Sequence, residues 1–151
     1  MQLAQYSSRF LIASALVAAG SAAAADNYAE GLAQWQAANL STYEYSYQRV
    51  CECHPEESAD TIVTVRDGVV IAVRYARPGF DEQVALQPEK LSWYRTIDDL
   101  FSLVTTAEAS AATVRVAYDP QWGFPASIYI DYVTDLVGDE VELAVTGFEP
   151  R

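Results

Sequence analysis

The sequence is poor in the residue types on which most enzyme active sites depend. Its 151 residues include one histidine (His54), two cysteines (Cys51 and Cys53) and one methionine (Met1). It has no nucleophile elbow, zinc-protease motif, phosphate-binding loop or dinucleotide fingerprint. Any Ser-His-Asp chemistry would depend on His54, which adjoins the cysteines. We therefore expect a protein that is not an enzyme, although a hydrolase that uses two carboxylates stays open.

Basic residues are also scarce. The chain has 9 Lys and Arg residues against 21 Asp and Glu residues, and its formal net charge at pH 7 is −12. Nucleic acids and anionic lipids are polyanions, which such a charge repels. We expect no nucleic-acid partner. The charge suits a cation or a basic protein as partner, or serves solubility alone.

Residues 1–25 have the composition of a secretory signal peptide. Arg9 precedes an apolar run over residues 10–19, and the small residues at 21–25 fit a cleavage site of the A-x-A type. The run is shorter than the ~20 residues of a membrane span, and no lipid-attachment cysteine follows it. The sequence predicts cleavage after Ala25, a periplasmic or secreted protein without stable membrane insertion, and one domain over residues 26–151.

Residues 43–54 alternate tyrosines with polar residues, and this period of two predicts a β-strand with unlike faces. One face carries Tyr43, Tyr45, Tyr47, Arg49, Cys51 and Cys53. The three tyrosines either pack beneath a helix or form an aromatic recognition surface. We predict that the strand ends or bulges at Cys51, because the cysteines could not pair along a regular strand.

Periodicity and turn residues predict the other elements. A helix is predicted over residues 26–39, and a second helix after Thr96 as N-cap. Asp67-Gly68 between two β-rich runs predicts a type I′ hairpin. Further strands are predicted over 113–118, 128–132 and 141–146, and a loop over 76–91.

The resulting order is α-β-β-β-α-β-β-β. Hairpin connections favour antiparallel pairing, and helices separated from runs of strands favour an α+β class. We predict an antiparallel sheet of about six strands with two main helices on one face. Whether the two αβββ halves are a true repeat stays open.

Several short motifs together carry a resemblance. They are Tyr45 and Tyr47 before Cys51-Glu52-Cys53, Asp67-Gly68, Thr96-Ile97 with Leu100-Phe101, Tyr118-Asp119, and Gly123-Phe124-Pro125. With these motifs the chain resembles a family of small exported bacterial proteins, often lipoproteins, known only as a domain of unknown function. The resemblance covers most of the mature chain and implies export and a sheet-rich fold, but no activity. This chain departs from the lipoprotein members because it has no lipid-attachment cysteine.

The two cysteines are the first candidate site. In an oxidising compartment Cys51 and Cys53 are expected to form a disulfide. Two residues along a strand span about 6.6 Å, the upper edge of the usual disulfide range, so the bridge needs a contracted backbone. A strained bridge also suits redox chemistry, and both thiolates with His54 could bind Cu(I) or Zn²⁺. A structural disulfide, a redox pair, a metal site and a free or intermolecular thiol all stay open.

An acidic turn is the second candidate. Its carboxylates are Asp131, Asp135, Asp139 and Glu140, followed by Glu142. Carboxylates around a turn can hold Ca²⁺, although this spacing is not that of an EF-hand. The alternative is a solvated turn that discourages edge pairing. No cofactor is expected apart from such a metal ion.

These observations predict a non-catalytic binding or interaction module of the cell envelope, which recognises an unknown protein or small ligand. The alternative function is a thiol-redox or Cu/Zn-binding protein centred on Cys51-Glu52-Cys53-His54.

Overall fold

A computed structural model describes residues 28–51, 58–76 and 88–151. Within these residues the chain forms α1 (Tyr28–Ala38), β1 (Tyr43–Val50), β2 (Thr61–Arg66), β3 (Val69–Tyr75), a 3₁₀ helix (Pro88–Trp93), α2 (Ile97–Glu108), β4 (Thr113–Tyr118), β5 (Pro125–Asp131) and β6 (Val141–Pro150). The six strands form one sheet in the order β3-β2-β1-β6-β5-β4, and every neighbouring pair is antiparallel. The α+β fold and its element order are confirmed.

Both helices cover the same face of the sheet, as predicted. Trp35 of α1 packs edge-on against Tyr43 of β1, with ring centroids 5.4 Å apart. Phe101 of α2 stacks on Tyr118 of β4 and contacts Tyr28 of α1. The aromatic rings of both helices therefore share one layer above the sheet.

The two halves of the chain are not related by a simple rotation. Each half forms a three-stranded meander, but β1 lies at the centre of the sheet whereas its counterpart β4 lies at an edge. Each strand of the first half lies three positions from its counterpart in the sheet, and in an antiparallel sheet the two therefore run in opposite directions. A rotation that reverses the strand direction but keeps the strand order would also turn the sheet over and place α1 and α2 on opposite faces. Both helices lie on one face, so the arrangement does not support an internal duplication.

The alternation predicted for β1 is confirmed. Tyr43, Tyr45 and Tyr47 are buried, and Glu44, Ser46 and Gln48 on the opposite face are partly exposed. Neighbouring strands continue the buried face with Val63 and Val65 of β2 and with Leu143 and Val145 of β6. Burial of such apolar surface supplies most of the driving force for folding, at roughly 25 cal/mol per Å².

A bulge in β6 completes the aromatic layer. The register between β1 and β6 shifts between Glu44 and Ser46, where Gly147 adopts a positive φ of 56°. The extra residue allows Phe148 to face the helices, as expected of a β-bulge. Its ring contacts those of Trp35, Tyr43, Trp122 and Phe124.

Helix α1 docks through a pair of glycines. A Cβ at Gly31 would lie 2.7 Å from the carbonyl oxygen of Gly123, and one at Gly123 would lie 2.4 Å from the carbonyl oxygen of Gly31. Gln34 of α1 also contacts the turn between β4 and β5 that contains Gly123. Its Nε2 donates to the carbonyl oxygens of Pro120 (3.1 Å) and Gln121 (2.8 Å). Close packing against this turn therefore explains why α1 contains Gly31, although glycine lowers helix propensity.

Some predicted boundaries were wrong. The segment predicted as a loop over 76–91 contains the start of the 3₁₀ helix Pro88–Trp93, and residues 77–87 lie outside the described part. Strand β5 begins at Pro125 and ends at Asp131. Its pairing with β6 covers only Ser127 to Ile130, so the missing N–H of Pro125 costs no hydrogen bond on that side. Strand β6 continues to Pro150, since the bulge keeps it paired with β1.

The predicted hairpin and helix start are both confirmed. Asp67 and Gly68 have φ values of 51° and 74°, the two positive angles that a type I′ turn requires. Thr96 is the N-cap of α2. Within the described ranges no helix has the length and apolarity needed to cross a membrane.

Candidate functional site

The three tyrosines of β1 hold the segment that leads into α2. The backbone N–H of Ile97 donates to Tyr43 Oη at 3.0 Å, and Tyr45 Oη donates to the carbonyl oxygen of Arg95. The Tyr47 ring packs against the Tyr94 ring, with centroids 5.7 Å apart. Successive inward positions of one strand therefore fix successive positions of residues 94–97.

The same segment is also fixed from the helix side. Thr96 Oγ1 accepts from the Asp99 N–H at 3.1 Å, and Asp99 Oδ2 accepts from the Thr96 N–H at 2.9 Å. This reciprocal arrangement is a capping box. Trp35 Nε1 donates to Asp98 Oδ1 at 3.1 Å, which ties α1 to the first turn of α2. Residues 94–99 thus form a rigid wall beside the sheet.

A cavity opens where the aromatic face of β1 ends. It has a volume of about 190 Å³ and is lined by Tyr47, Arg49, Trp93 and Tyr94. A second cavity of about 100 Å³ shares Tyr47, Arg49 and Trp93 and is also lined by Arg95. The rest of its wall is largely apolar and consists of Leu103, Ile130, Tyr132, Val141 and Leu143. We call the two adjoining spaces, defined by Tyr47, Arg49, Trp93, Tyr94 and Arg95, the Arg49 groove.

The groove combines a neutral phenol with positive charge. Tyr47 is 6% exposed, and burial raises the pKa of its phenol, while the nearby charges of Arg95 and Arg49 act in the opposite direction. Both guanidinium groups are therefore close enough to act on the phenol. Lys90 Nζ lies 5.6 Å from the centroid of the Trp93 ring and adds a third cation at the edge.

Arg49 is unusual among the groove residues because it follows the tyrosines on the buried face of β1. Its Nε atom is buried and has no hydrogen-bond partner. Among residues 28–51, 58–76 and 88–151, no carboxylate forms an ion pair with Arg49 or Arg95. A buried polar group without a partner is unfavourable. The side chain that carries this nitrogen lines both cavities, where its charge has no carboxylate partner among the described residues.

The tyrosines predicted as weak binding candidates have different surroundings. Tyr43 and Tyr45 have no exposed surface, and burial raises the pKa of both phenols. Both belong to the core beneath the helices. Tyr47, in contrast, lines the cavity of about 190 Å³.

The cysteine motif lies at the end of the same strand. Strand β1 ends at Val50 and Cys51 follows directly, as predicted. Cys53 and His54 lie outside the described residues. The Cys51–Cys53 disulfide and the metal site with His54 therefore stay predictions.

Two carboxylates of the acidic turn accept hydrogen bonds from backbone N–H groups of the same turn. Asp139 Oδ2 accepts from the Val133 N–H at 2.6 Å, and Glu140 Oε2 accepts from the Gly138 N–H at 2.9 Å. Asp135 is exposed, with a φ of 69°. Asp131 and Asp139 each have one buried carboxylate oxygen without a hydrogen-bond partner. In the described part of the chain, no group of three or more His, Cys, Asp or Glu side chains could hold a metal ion.

No local pattern in the sequence marks the far wall of the groove. Trp93, Tyr94 and Arg95 lie between two predicted elements and show no periodicity that would group them. A usable signal was present in β1, where Arg49 continues the Tyr-x-Tyr-x-Tyr series. A cation on a buried strand face indicates a site, because buried charges are normally paired.

Comparison with known proteins identifies a family but no activity. No curated protein matches the chain, and no solved structure does. A family of unknown function (DUF6174) matches residues 27–150, which is most of the chain and includes every described helix and strand. The chain therefore belongs to this family of unknown function (DUF6174).

Proposed function

We propose that this protein is a non-catalytic binding module of the cell envelope and that its ligand is a small molecule held in the Arg49 groove. The observation that carries the proposal is the cavity of about 190 Å³ at the end of the aromatic layer. Concave sites with aromatic walls and a few converging polar groups are the usual form of small-molecule sites. The Arg49 groove has this composition.

Rigid walls support a binding role. Tyr47 and Arg49 belong to β1, which is hydrogen-bonded on both sides, to β2 and to β6. Arg95 is held through its carbonyl oxygen by Tyr45, and it precedes the capping box of α2. A site whose side chains are already ordered loses less conformational entropy on binding.

The chemistry of the described groove residues favours binding over catalysis. A guanidinium stays protonated at all physiological pH values, and burial keeps the Tyr47 phenol protonated. Neither group can accept a proton from a substrate near neutral pH, as a general base must. The groove residues Trp93 and Tyr94 supply ring surfaces.

Placement in the envelope is the second part of the proposal, supported by the signal-like composition of residues 1–25. Expression of the full chain in a Gram-negative host, followed by fractionation and N-terminal sequencing, tests it. We expect a periplasmic or secreted product that begins at Asp26. An uncleaved cytoplasmic product would refute this part.

A melting-temperature screen of the secreted protein against small metabolites tests the ligand site. A ligand at 100 times its dissociation constant stabilises the folded state by about 2.7 kcal/mol, which raises the melting temperature by several degrees. We expect compounds that stabilise the wild type but not Trp93→Ala. Arg115→Gln is the control, since Arg115 lies on edge strand β4 over the Tyr129 ring. No stabilising compound, or hits that survive Trp93→Ala, would refute the groove as the ligand site.

A further inference from the structure

We infer that the ligand of the Arg49 groove is a small organic anion, with a carboxylate or phosphate head on Arg49 and a single flat ring on Trp93. The inference rests on the proposed function and adds the chemical class of the ligand. It is carried by Arg49, which lines both cavities and forms no ion pair with a described carboxylate, together with the ring surface and the second arginine beside it.

The charge of Arg49 needs an acceptor. The Arg49 side chain is partly buried, and its buried Nε has no hydrogen-bond partner, which is unfavourable for a charged group. A guanidinium presents its N–H groups in a planar fork that matches carboxylate and phosphate oxygens. An oxyanion in the groove would therefore pair with the Arg49 guanidinium, which lines both spaces, in the way that a neighbouring carboxylate usually does.

Two further groups converge on the same place. Arg95 lines the second cavity together with Arg49, and both guanidinium groups act electrostatically on the Tyr47 phenol. Because that phenol stays neutral, it does not repel an anion, and its O–H is available as a donor. A phenol and two guanidinium groups form a site for one negative charge.

The distribution of positive charge is uneven over the chain. Removing Arg9 with the predicted signal peptide leaves 8 of the 9 Lys and Arg residues against 21 acidic ones. Three of those eight, namely Arg49, Lys90 and Arg95, lie at or beside the groove. The overall field repels anions, so recognition has to come from these local contacts. Salt screens such contacts, and we expect binding to weaken as ionic strength rises.

The size and walls of the groove define the rest of the ligand. The two spaces of the groove have volumes of about 190 Å³ and about 100 Å³, each below the roughly 300–1,000 Å³ of sites for drug-sized ligands, which indicates one ring and a short acidic head. The Trp93 side chain is 53% exposed at this place, and the Tyr94 ring lies beside it. Aromatic rings favour flat partners in stacked or edge-on contact.

Calorimetric titration of the full secreted protein with four probes of one ring tests the inference. Benzoate and phenyl phosphate carry the two anionic heads, benzamide has the shape of benzoate without the charge, and benzylamine carries the opposite charge. We expect at least one anion to bind at least tenfold more tightly than benzamide, and no binding of benzylamine. The comparison of the two anions decides between a planar and a tetrahedral head.

Variants connect the binding to Arg49. Arg49→Gln is expected to weaken the anion at least tenfold, Arg49→Lys to restore part of the loss, and Arg115→Gln to bind as the wild type does. Circular dichroism confirms that each variant is folded, and Arg95→Gln provides a second test if Arg49→Gln does not fold.

The outcomes separate this inference from the proposed function. If benzamide binds as tightly as benzoate, or if Arg49→Gln leaves anion binding unchanged, the anion inference is wrong. The binding module would still stand, provided that Trp93→Ala removes the binding. If no probe and no compound of the metabolite screen binds, both are wrong.

Discussion

The contact between Gly31 and Gly123 makes a prediction that opposes helix propensity. Replacing a glycine by alanine within an exposed helix normally stabilises it by about 1 kcal/mol. Here the new Cβ would lie 2.7 Å from the carbonyl oxygen of Gly123 and 2.7 Å from Cδ1 of Tyr118. Real Cβ atoms essentially never approach so closely, so one of the packed elements has to move.

The turn that carries Gly123 has little freedom to move away. Its φ of 77° suits glycine, and Asp119 Oδ1 accepts from the N–H groups of Gln121 (2.9 Å) and Trp122 (2.7 Å). Overpacking a well-packed region costs about 1–3 kcal/mol. We take the upper half of this range, because one of the two close contacts is to a backbone oxygen, which cannot move aside as a flexible side chain can. After subtraction of the propensity gain, Gly31→Ala should lower the free energy of unfolding by about 1–2 kcal/mol.

Urea unfolding and thermal melting measure this effect. A loss of that size corresponds to a melting temperature lower by roughly 3–8 °C for a domain of this size. Ala33→Gly is the matched control, because Ala33 is an exposed position of the same helix and should lose about 1 kcal/mol from propensity alone. If Gly31→Ala is neutral or stabilising, the close approach of α1 to the turn is not a constraint on the fold, and the reasoning fails.

Two further predictions concern α2 and alkaline pH. Thr96→Ala removes the side-chain acceptor of the Asp99 N–H and should lower the free energy of unfolding, measured in urea, by about 1–2 kcal/mol. Thr96→Ser keeps a hydroxyl and should retain most of the stability. Equal losses in the two variants would contradict the capping role. Burial raises the pKa of Tyr118 to about 12 and also raises those of Tyr43 and Tyr45, so the folded state keeps protons that the unfolded chain releases near pH 10. Stability should hold below pH 10 and fall above it by about 1.4 kcal/mol per pH unit for each such tyrosine, with a shallower fall in Tyr118→Phe; a flat profile from pH 9 to 11.5 would contradict this.

Local signals in the sequence were sufficient for most of the fold. The hairpin at Asp67-Gly68 and the cap at Thr96 depend on backbone angles and short-range hydrogen bonds, which residue type alone specifies. The alternation of tyrosines correctly gave the buried face of β1. In contrast, the extension of β6 to Pro150 depends on its pairing with β1 through a bulge, which no local pattern encodes.

The candidate site was only half predictable. The two-residue period of β1 placed Arg49 on the buried face of the strand. The opposite wall of the groove, however, comes from residues about 45 positions away along the chain. Its position follows from the hydrogen bonds of Tyr43 and Tyr45 to residues 95–97, which depend on the tertiary fold. The spacing of these tyrosines indicated burial, but it did not show what they would hold.

The pairing of β1 with β6 has a consequence for the order of folding. Its register joins Tyr43 to Pro150, residues separated by almost the whole described chain, whereas β1–β2–β3 and β4–β5–β6 are each formed from neighbours in sequence. Closing such long loops is entropically costly, and proteins rich in distant contacts fold slowly, in milliseconds to seconds. We therefore expect each meander to form early and the seam between them to close last. The Arg49 groove lies beside that seam, between β1 and the segment from Trp93 to Arg95, so we expect it to take shape when the two halves join.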